Sequence, residues 1–217
     1  MTIAEVENVG EIMRLAPVIP VLTVENPADA IPLARTLVGA GLRVLEVTLR
    51  TEKALEVIAR MTEVEGAVVG AGTVLNAADA VHAVGAGAAF LVSPGLTEGL
   101  VAAGEELATP LLPGVATAGE ILRGLDLGLI HFKFFPAETS GGAAAVRAFA
   151  GPFPHVMFCP TGGIKAKTAA DYLTLPNVLC VGGTWIAPRE LLAEQAWDRI
   201  GELARHAAGL PRPVMGH

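Results

Sequence analysis

LRVLEVTLRTEKALEVIAR, residues 42–60, changes its period partway along. Up to Leu49 the side chains alternate between two faces. Leu45, Val47 and Leu49 share one; Glu46, Thr48 and Arg50 share the other. Beyond Thr51 the apolar residues Ala54, Leu55 and Ile58 recur at helical spacing, and Thr51 stands where a helix cap belongs. The stretch therefore reads as a strand followed by a helix. The same unit recurs along the whole chain, and that recurrence decides the fold.

VIPVLTV (18–24) leads through Asn26-Pro27, a cap followed by proline at the first helical position, into a helix that stops near Gly39 and Gly41. AVVGAGTV (67–74) precedes a helix capped by Asn76. AAFLVSP (88–94) precedes one from Thr97, and TPLLPG (109–114) one from about Thr117. LIHFKFFP (129–136) leads to a helix from about Ser140, and HVMFCPTGG (155–163) to one near 168–174. NVLCVGG (177–183) leads to a terminal helix near 189–208.

Eight strand–helix units in series predict parallel βαβ connections and a closed (β/α)8 TIM barrel, an α/β fold. An open doubly wound sheet usually has fewer strands, and no GxGxxG follows the first strand here. Residues before 17 predict one extra N-terminal helix across the barrel bottom. The tail GLPRPVMGH (209–217) predicts a loose end. With no linker or low-complexity stretch, residues 1–217 read as a single barrel domain.

Composition narrows the function. Of 217 residues, 52% are hydrophobic and the net charge is −7; mean hydropathy is +0.54. No Lys/Arg cluster stands out, which argues against nucleic acid or an anionic membrane as partner. No apolar run reaches the ~18 residues of a membrane span. The start, MTIAEVENVGEIMRL, lacks the basic and apolar regions of a secretory leader. The two cysteines, Cys159 and Cys180, sit in apolar runs as small buried hydrophobes, which suits a reducing cytoplasm. The five histidines show no HxH or HExxH spacing, so chemistry without a metal or cofactor is expected.

In a barrel, chemistry collects at the C-terminal ends of the strands. On the second strand the apolar set should meet the helices, which turns Glu46 and Arg50 inward or into the mouth. On the sixth, Phe132 and Phe134 suit the helix layer, which turns Lys133 inward, with Phe135 on the same face. A structural Glu–Arg plug and a snorkelling lysine are the bland readings of each strand alone. Together they describe a reactive centre. Burial disfavours an ammonium, and an unprotonated amine attacks a carbonyl to form a Schiff base. Two glycine-rich ends, PTGG (160–163) and VGGT (181–184), follow strands seven and eight, where barrels hold phosphate.

The motifs VLEVTLRTE, GAGTVLN, SPGLTE, FKFFPAE, CPTGG and VGGTW, in this order, resemble the bacterial 2-keto-3-deoxy-6-phosphogluconate (KDPG) aldolases, a family overlapping with 4-hydroxy-2-oxoglutarate (KHG) aldolases. The likeness spans nearly all of residues 15–200. It implies a class I aldolase of the Entner–Doudoroff pathway on a (β/α)8 barrel, assembled as a homotrimer. The substrate would be a phosphorylated 2-keto-3-deoxy sugar acid, released as pyruvate and glyceraldehyde 3-phosphate.

By the same resemblance, Lys133 is the Schiff-base lysine and Glu46 the general acid/base. Arg50 and Thr73 hold the pyruvyl carboxylate, and Pro94 and Phe135 line the pocket. Thr161 sits near the aldehyde-derived hydroxyl. Gly162, Gly163, Gly182, Gly183 and Thr184 cradle the phosphate. The family commonly has Ser where this chain has Thr184, and some members carry an arginine near the first strand that VIPVLTV lacks. Two alternatives stand beside this reading. One is the same chemistry on 4-hydroxy-2-oxoglutarate. The other is a carrier holding an aldehyde cofactor such as pyridoxal phosphate on Lys133, which would not need Glu46 and Arg50.

Overall fold

The computed structural model describes residues 8–211. A short helix α1 (Val9–Arg14) precedes β1 (Val18–Leu22). Then follow α2 (Ala30–Gly39), β2 (Val44–Thr48), α3 (Ala54–Thr62), β3 (Val68–Gly72), α4 (Ala77–Gly85), β4 (Phe90–Val92) and α5 (Glu98–Glu106). The second half comprises β5 (Leu111–Leu112), β6 (Gly114–Val115), α6 (Ala118–Asp126), β7 (His131–Phe134), α7 (Gly142–Phe149), β8 (Met157–Pro160), α8 (Ala169–Leu173), β9 (Val181–Gly183), α9 (Arg189–Ala193) and α10 (Trp197–Ala208).

Six strands form a curled parallel half-barrel in the order β5-β4-β3-β2-β1-β9, and three form a second parallel sheet, β6-β7-β8. The predicted eight even strands are thus modified in two places. The fifth breaks into β5 and β6 around Pro113, whose ring removes a ladder N–H; its carbonyl still accepts from the Lys133 N–H at 2.9 Å. Between β8 and β9 there are only isolated parallel bridges, Phe158 with Val178 and Thr161 with Gly182.

Caps set most helix starts where the sequence put them. Asn26 accepts from the Ala28 N–H and opens a 3-10 turn, Pro27–Asp29, ahead of α2. Asn76 caps α4, Thr97 caps α5, and Thr117 with Glu120 forms a full capping box on α6. Thr51 does not cap α3. Its hydroxyl donates across to the Val24 carbonyl at 3.1 Å, and Lys53 takes the cap position without a side-chain bond. The terminal helix is two helices, parted at Gln195, which adopts a left-handed φ of 51°. Residues 1–7 of the N-terminal segment and 212–217 of the expected loose tail lie outside the described residues.

Two apolar clusters confirm the face assignment. Leu45, Val47, Phe132 and Phe134 join the cluster between sheet and helices. Phe134 meets Phe149 and Phe158 edge-on, with centroids 6.0 and 6.4 Å apart. Burial of each such ring contributes about 1.5–3 kcal/mol. Val44, Val68 and Phe90, early in their strands, belong to the interior cluster with Ile12 and Met13 of α1. The extra helix therefore plugs the N-terminal end, as its position before β1 predicts. Among the described residues no helix is long and apolar enough to cross a membrane.

At this plugged end His131 packs against Gly10 of α1, where a Cβ would collide with the imidazole. Burial, and then the Arg14 charge, hold its pKa below the ordinary histidine value. The unfolded chain therefore takes up this proton first as pH falls. The stability gained by keeping His131 neutral is complete above the unfolded value of about 6.5 and fades on acidification below it. Between pH 7 and pH 5 the wild type should lose more Tm than His131→Gln, measured by thermal melts at matched ionic strength.

Candidate active site

Lys133 and Glu46 lie 87 residues apart in sequence and meet inside the protein. Register explains how. Lys133 sits on β7 between Gly114 and Cys159, and Glu46 sits on β2 between Val21 and Gly70. Both side chains leave their strands on the face opposite the helix layer. The Lys133 Nζ donates to Glu46 Oε1 at 3.2 Å, with only 6% and 3% of the two residues exposed. Desolvating two such groups costs several kcal/mol per ion, which an apolar pair would avoid. A buried pair at the catalytic end of parallel strands points to chemistry rather than stability.

Neighbouring residues shape the pair. The Phe135 ring lies 5.2 Å from Nζ, a cation–π contact. Thr48, one step further out on the Glu46 face, is buried. Its hydroxyl lies 2.9 Å from both the Leu22 carbonyl and the Thr23 hydroxyl. Gly72 leaves open the space into which the Glu46 carboxyl reaches, where a Cβ would collide with it.

Next comes Thr73, a β-branched residue with φ of 60°. Such a conformation costs on the order of 1–3 kcal/mol. It brings the Thr73 hydroxyl to Arg50 Nε, which donates to it at 3.2 Å. Arg50 is exposed at the rim and bonds Thr73 there, while Glu46 pairs with Lys133, so the Glu46–Arg50 plug does not form. Pro94 is half-buried, and its carbonyl occupies the place a Cβ on Gly114 would need.

The two glycine-rich ends come together, since Thr161 bridges Gly182. Their glycines also have packing reasons. Gly162 and Gly163 adopt φ of +104° and +80°, and Cβ atoms on Gly182 and Gly183 would strike Thr161 and Trp185. A bulky Gly162 variant would press on Phe135 as well as on any anion, so it cannot isolate phosphate binding. Beside Gly183 a cleft of about 340 Å³ opens, lined by Val21, Thr23, Thr184, Trp185 and Arg189 among others. The larger cavity, about 460 Å³, lies at the plugged end by Ile130 and His131, away from these residues.

An amine against a carboxylate, a rim guanidinium and glycine-rich loops at the same end can form an imine, move a proton and hold an anionic substrate. The sequence profile of the KDPG and KHG aldolases matches residues 9–203. The chain belongs to this aldolase family. A 2-dehydro-3-deoxy-phosphogluconate aldolase from Zymomonas mobilis is 55% identical over 208 residues, 96% of this chain and 99% of that one.

Among solved structures, the 2-keto-3-deoxy-6-phosphogluconate aldolase of Z. mobilis ZM4 with 3-phosphoglycerate superposes with a TM-score of 0.89 at 51% identity, covering 95% and 97% of the two chains. The KDPG aldolase of Legionella pneumophila, with pyruvate captured as a covalent carbinolamine, gives 0.90 at 44% identity, covering 92% and 98%.

Sequence reading assigned no role to Gly72, to the Thr23–Thr48 contact, or to the bond from Tyr172 to Glu138. Glycine inside a strand signals close approach of another group, so Gly72 was open to that reading. The other two depend on register between distant segments. In this family setting, Gly72→Ala should displace the Glu46 carboxylate while leaving the strand intact. Cleavage should fall by about 100-fold or more, the scale of a lost positioned acid–base group, and Tm should fall too, because the displaced carboxylate leaves Lys133 buried without its partner. Unchanged turnover would show that the carboxylate position seen here is not the working one.

Proposed function

We propose that the chain is a class I aldolase that cleaves 2-dehydro-3-deoxy-6-phosphogluconate to pyruvate and glyceraldehyde 3-phosphate. The observation that carries this is the buried 3.2 Å contact of Lys133 Nζ with Glu46 Oε1. Transfer of the lysine proton to the carboxylate frees the amine, which attacks the C2 ketone. Glu46 returns that proton to the carbinolamine hydroxyl, which leaves as water, and the resulting iminium draws electrons from the C3–C4 bond. Glu46, directly or through a water, removes the C4 hydroxyl proton as that bond breaks. Glyceraldehyde 3-phosphate departs, Glu46 passes the proton to C3 of the enamine directly or through the same water, and hydrolysis returns Lys133 and pyruvate. The carbinolamine in the L. pneumophila relative is the first intermediate of this sequence.

The roles of the other residues belong to the same proposal. Arg50 and Thr73, already hydrogen-bonded to each other, take the pyruvyl carboxylate. Pro94 and Phe135 line the pocket, and Thr161 meets the hydroxyl nearest the new aldehyde. Gly162, Gly163, Gly182, Gly183 and Thr184 receive the phosphate. The phosphorylated three-carbon acid bound by the Z. mobilis relative supports this end of the reading. A carrier barrel would have no use for a carboxylate against its lysine, so the Glu46 contact favours the aldolase.

We further propose a single barrel domain in which the two sheets close as eight strands. β5 and β6 would be halves of one strand, and the bridges at Phe158 and Thr161 would join β8 to β9. A homotrimer in the cytoplasm, serving the Entner–Doudoroff pathway, completes the reading. Leu75 and Val81, 59% and 53% exposed, offer apolar surface for assembly. Buried Cys159 and Cys180, neither in a disulfide, suit a reducing compartment.

Borohydride with pyruvate should inactivate the enzyme and leave a reduced pyruvyl adduct on Lys133 in peptide maps. Glu46→Gln should retain trapping only in part, since the lysine proton loses its acceptor, and should lose about 10²–10⁴-fold in turnover. An adduct on another lysine would overturn the assignment. Side-by-side assays of phosphorylated and unphosphorylated 2-dehydro-3-deoxygluconate, and of 4-hydroxy-2-oxoglutarate, test the substrate. The phosphorylated acid should have by far the highest kcat/KM. Preference for 4-hydroxy-2-oxoglutarate would move the proposal to the other activity of the family.

A further inference from the structure

The segment that follows Lys133 is laced to the glycine-rich segment that follows β8. The Ala137 N–H donates to the Thr161 carbonyl at 2.8 Å, and the Glu138 N–H donates to the Gly162 carbonyl at 3.1 Å. The Glu138 stem then lies against Gly163, where a Cβ would come within 2.8 Å of its Cβ and Cγ. Beyond that contact Glu138 Oε1 accepts a hydrogen bond from the Tyr172 hydroxyl at 2.7 Å. Tyr172 stands on α8, only 1% exposed, so its hydroxyl is a fixed point anchored in the core. Burial, then Glu138 and Asp171, push the tyrosine pKa upward, so it stays a donor throughout the working pH range.

We propose that Glu138, held by Tyr172, is a positioning residue that sets the distance from the Lys133 amine to the Thr161–Gly163 loop. The inference rests on the reading that this loop receives the phosphate. Under that reading the substrate is attached at both ends, by its C2 carbon to Lys133 and by its phosphate to the loop. The span between those ends is then a catalytic dimension, and a shift of about 1 Å costs up to about 100-fold.

A carboxylate beside an anion site repels the ligand, which makes Glu138 a poor choice for binding alone. Its use there is geometric. The side chain reaches from the exposed mouth to a buried hydroxyl and supports the loop along the way. Glutamine offers the same acceptor without the charge and should serve as well. Alanine removes the strut, and Tyr172→Phe removes only the donor while keeping the buried ring.

The test measures kcat and KM of wild type, Glu138→Gln, Glu138→Ala and Tyr172→Phe on phosphorylated and unphosphorylated 2-dehydro-3-deoxygluconate. Methyl-proton exchange of pyruvate, followed by NMR, needs only the Lys133 end and serves as the control. Tyr172→Phe and Glu138→Ala should lower kcat/KM on the phosphorylated substrate by about 10- to 100-fold. Their pyruvate exchange and their activity on the unphosphorylated acid should stay within about twofold, and Glu138→Gln should match the wild type. Variants equal to the wild type in every assay would overturn the proposal. Equal losses in all three assays would also overturn it, because the contact would then support the fold in general. The wild-type arm stands apart: no preference for the phosphorylated acid would refute the phosphate reading itself, whatever the variants do.

Discussion

The parallel strands bury both faces, so a polar side chain on either face must find its partner inside the protein. An unpaired buried charge costs far more than any single packing contact returns. Lys133 and Glu46 meet this constraint through each other, at 3.2 Å across the interior. The apolar cluster of Val44, Val68 and Phe90 beneath them is sealed by Ile12 and Met13 of α1. The interior is thus graded from dry at the plugged end to polar at the open end. The reactive pair sits near the top of the gradient, where substrate can reach it and little water remains.

Close approach is bought at positions without side chains. Gly70 makes room for the Phe90 ring, Gly72 for the Glu46 carboxyl, Gly114 for the Pro94 carbonyl and Gly182 for Thr161. The strained Thr73 belongs to the same pattern, since its left-handed backbone brings a hydroxyl to Arg50. Local cost at these points is sustained by the surrounding strand ladders and by burial of the Phe132, Phe134 and Phe158 rings between sheet and helices.

The two ends of the proposed substrate site are held by different means. The amine end is fixed by strand register and a charge contact. The glycine-rich end is fixed by backbone hydrogen bonds from Ala137 and Glu138 and by the reach of Glu138 to Tyr172. Both ends are fed by one segment, residues 132–138, which supplies the lysine, the ring beside it and the side chain that braces the neighbouring loop. A change anywhere in that segment is therefore expected to be felt at both ends.

By itself the sequence determined the alternation of strands and helices, most of the caps, and which face of β2 and β7 turned inward. These follow from side-chain period and from hydrogen bonds within a few residues, both local properties of the chain. It also singled out Lys133, Glu46 and the two glycine-rich ends. It did not determine the partners. Thr51 has the composition of a cap, but its hydroxyl donates to the Val24 carbonyl, a group 27 residues away that only the packing of adjacent strands brings near. TPLLPG reads as one strand in the sequence, and only the sheet showed it divided at Pro113 into β5 and β6. The contacts of Lys133 with Glu46, Arg50 with Thr73 and Tyr172 with Glu138 join residues 87, 23 and 34 apart. Such pairs depend on how strands lie beside one another, and no local pattern encodes that distance; tertiary packing alone decided it.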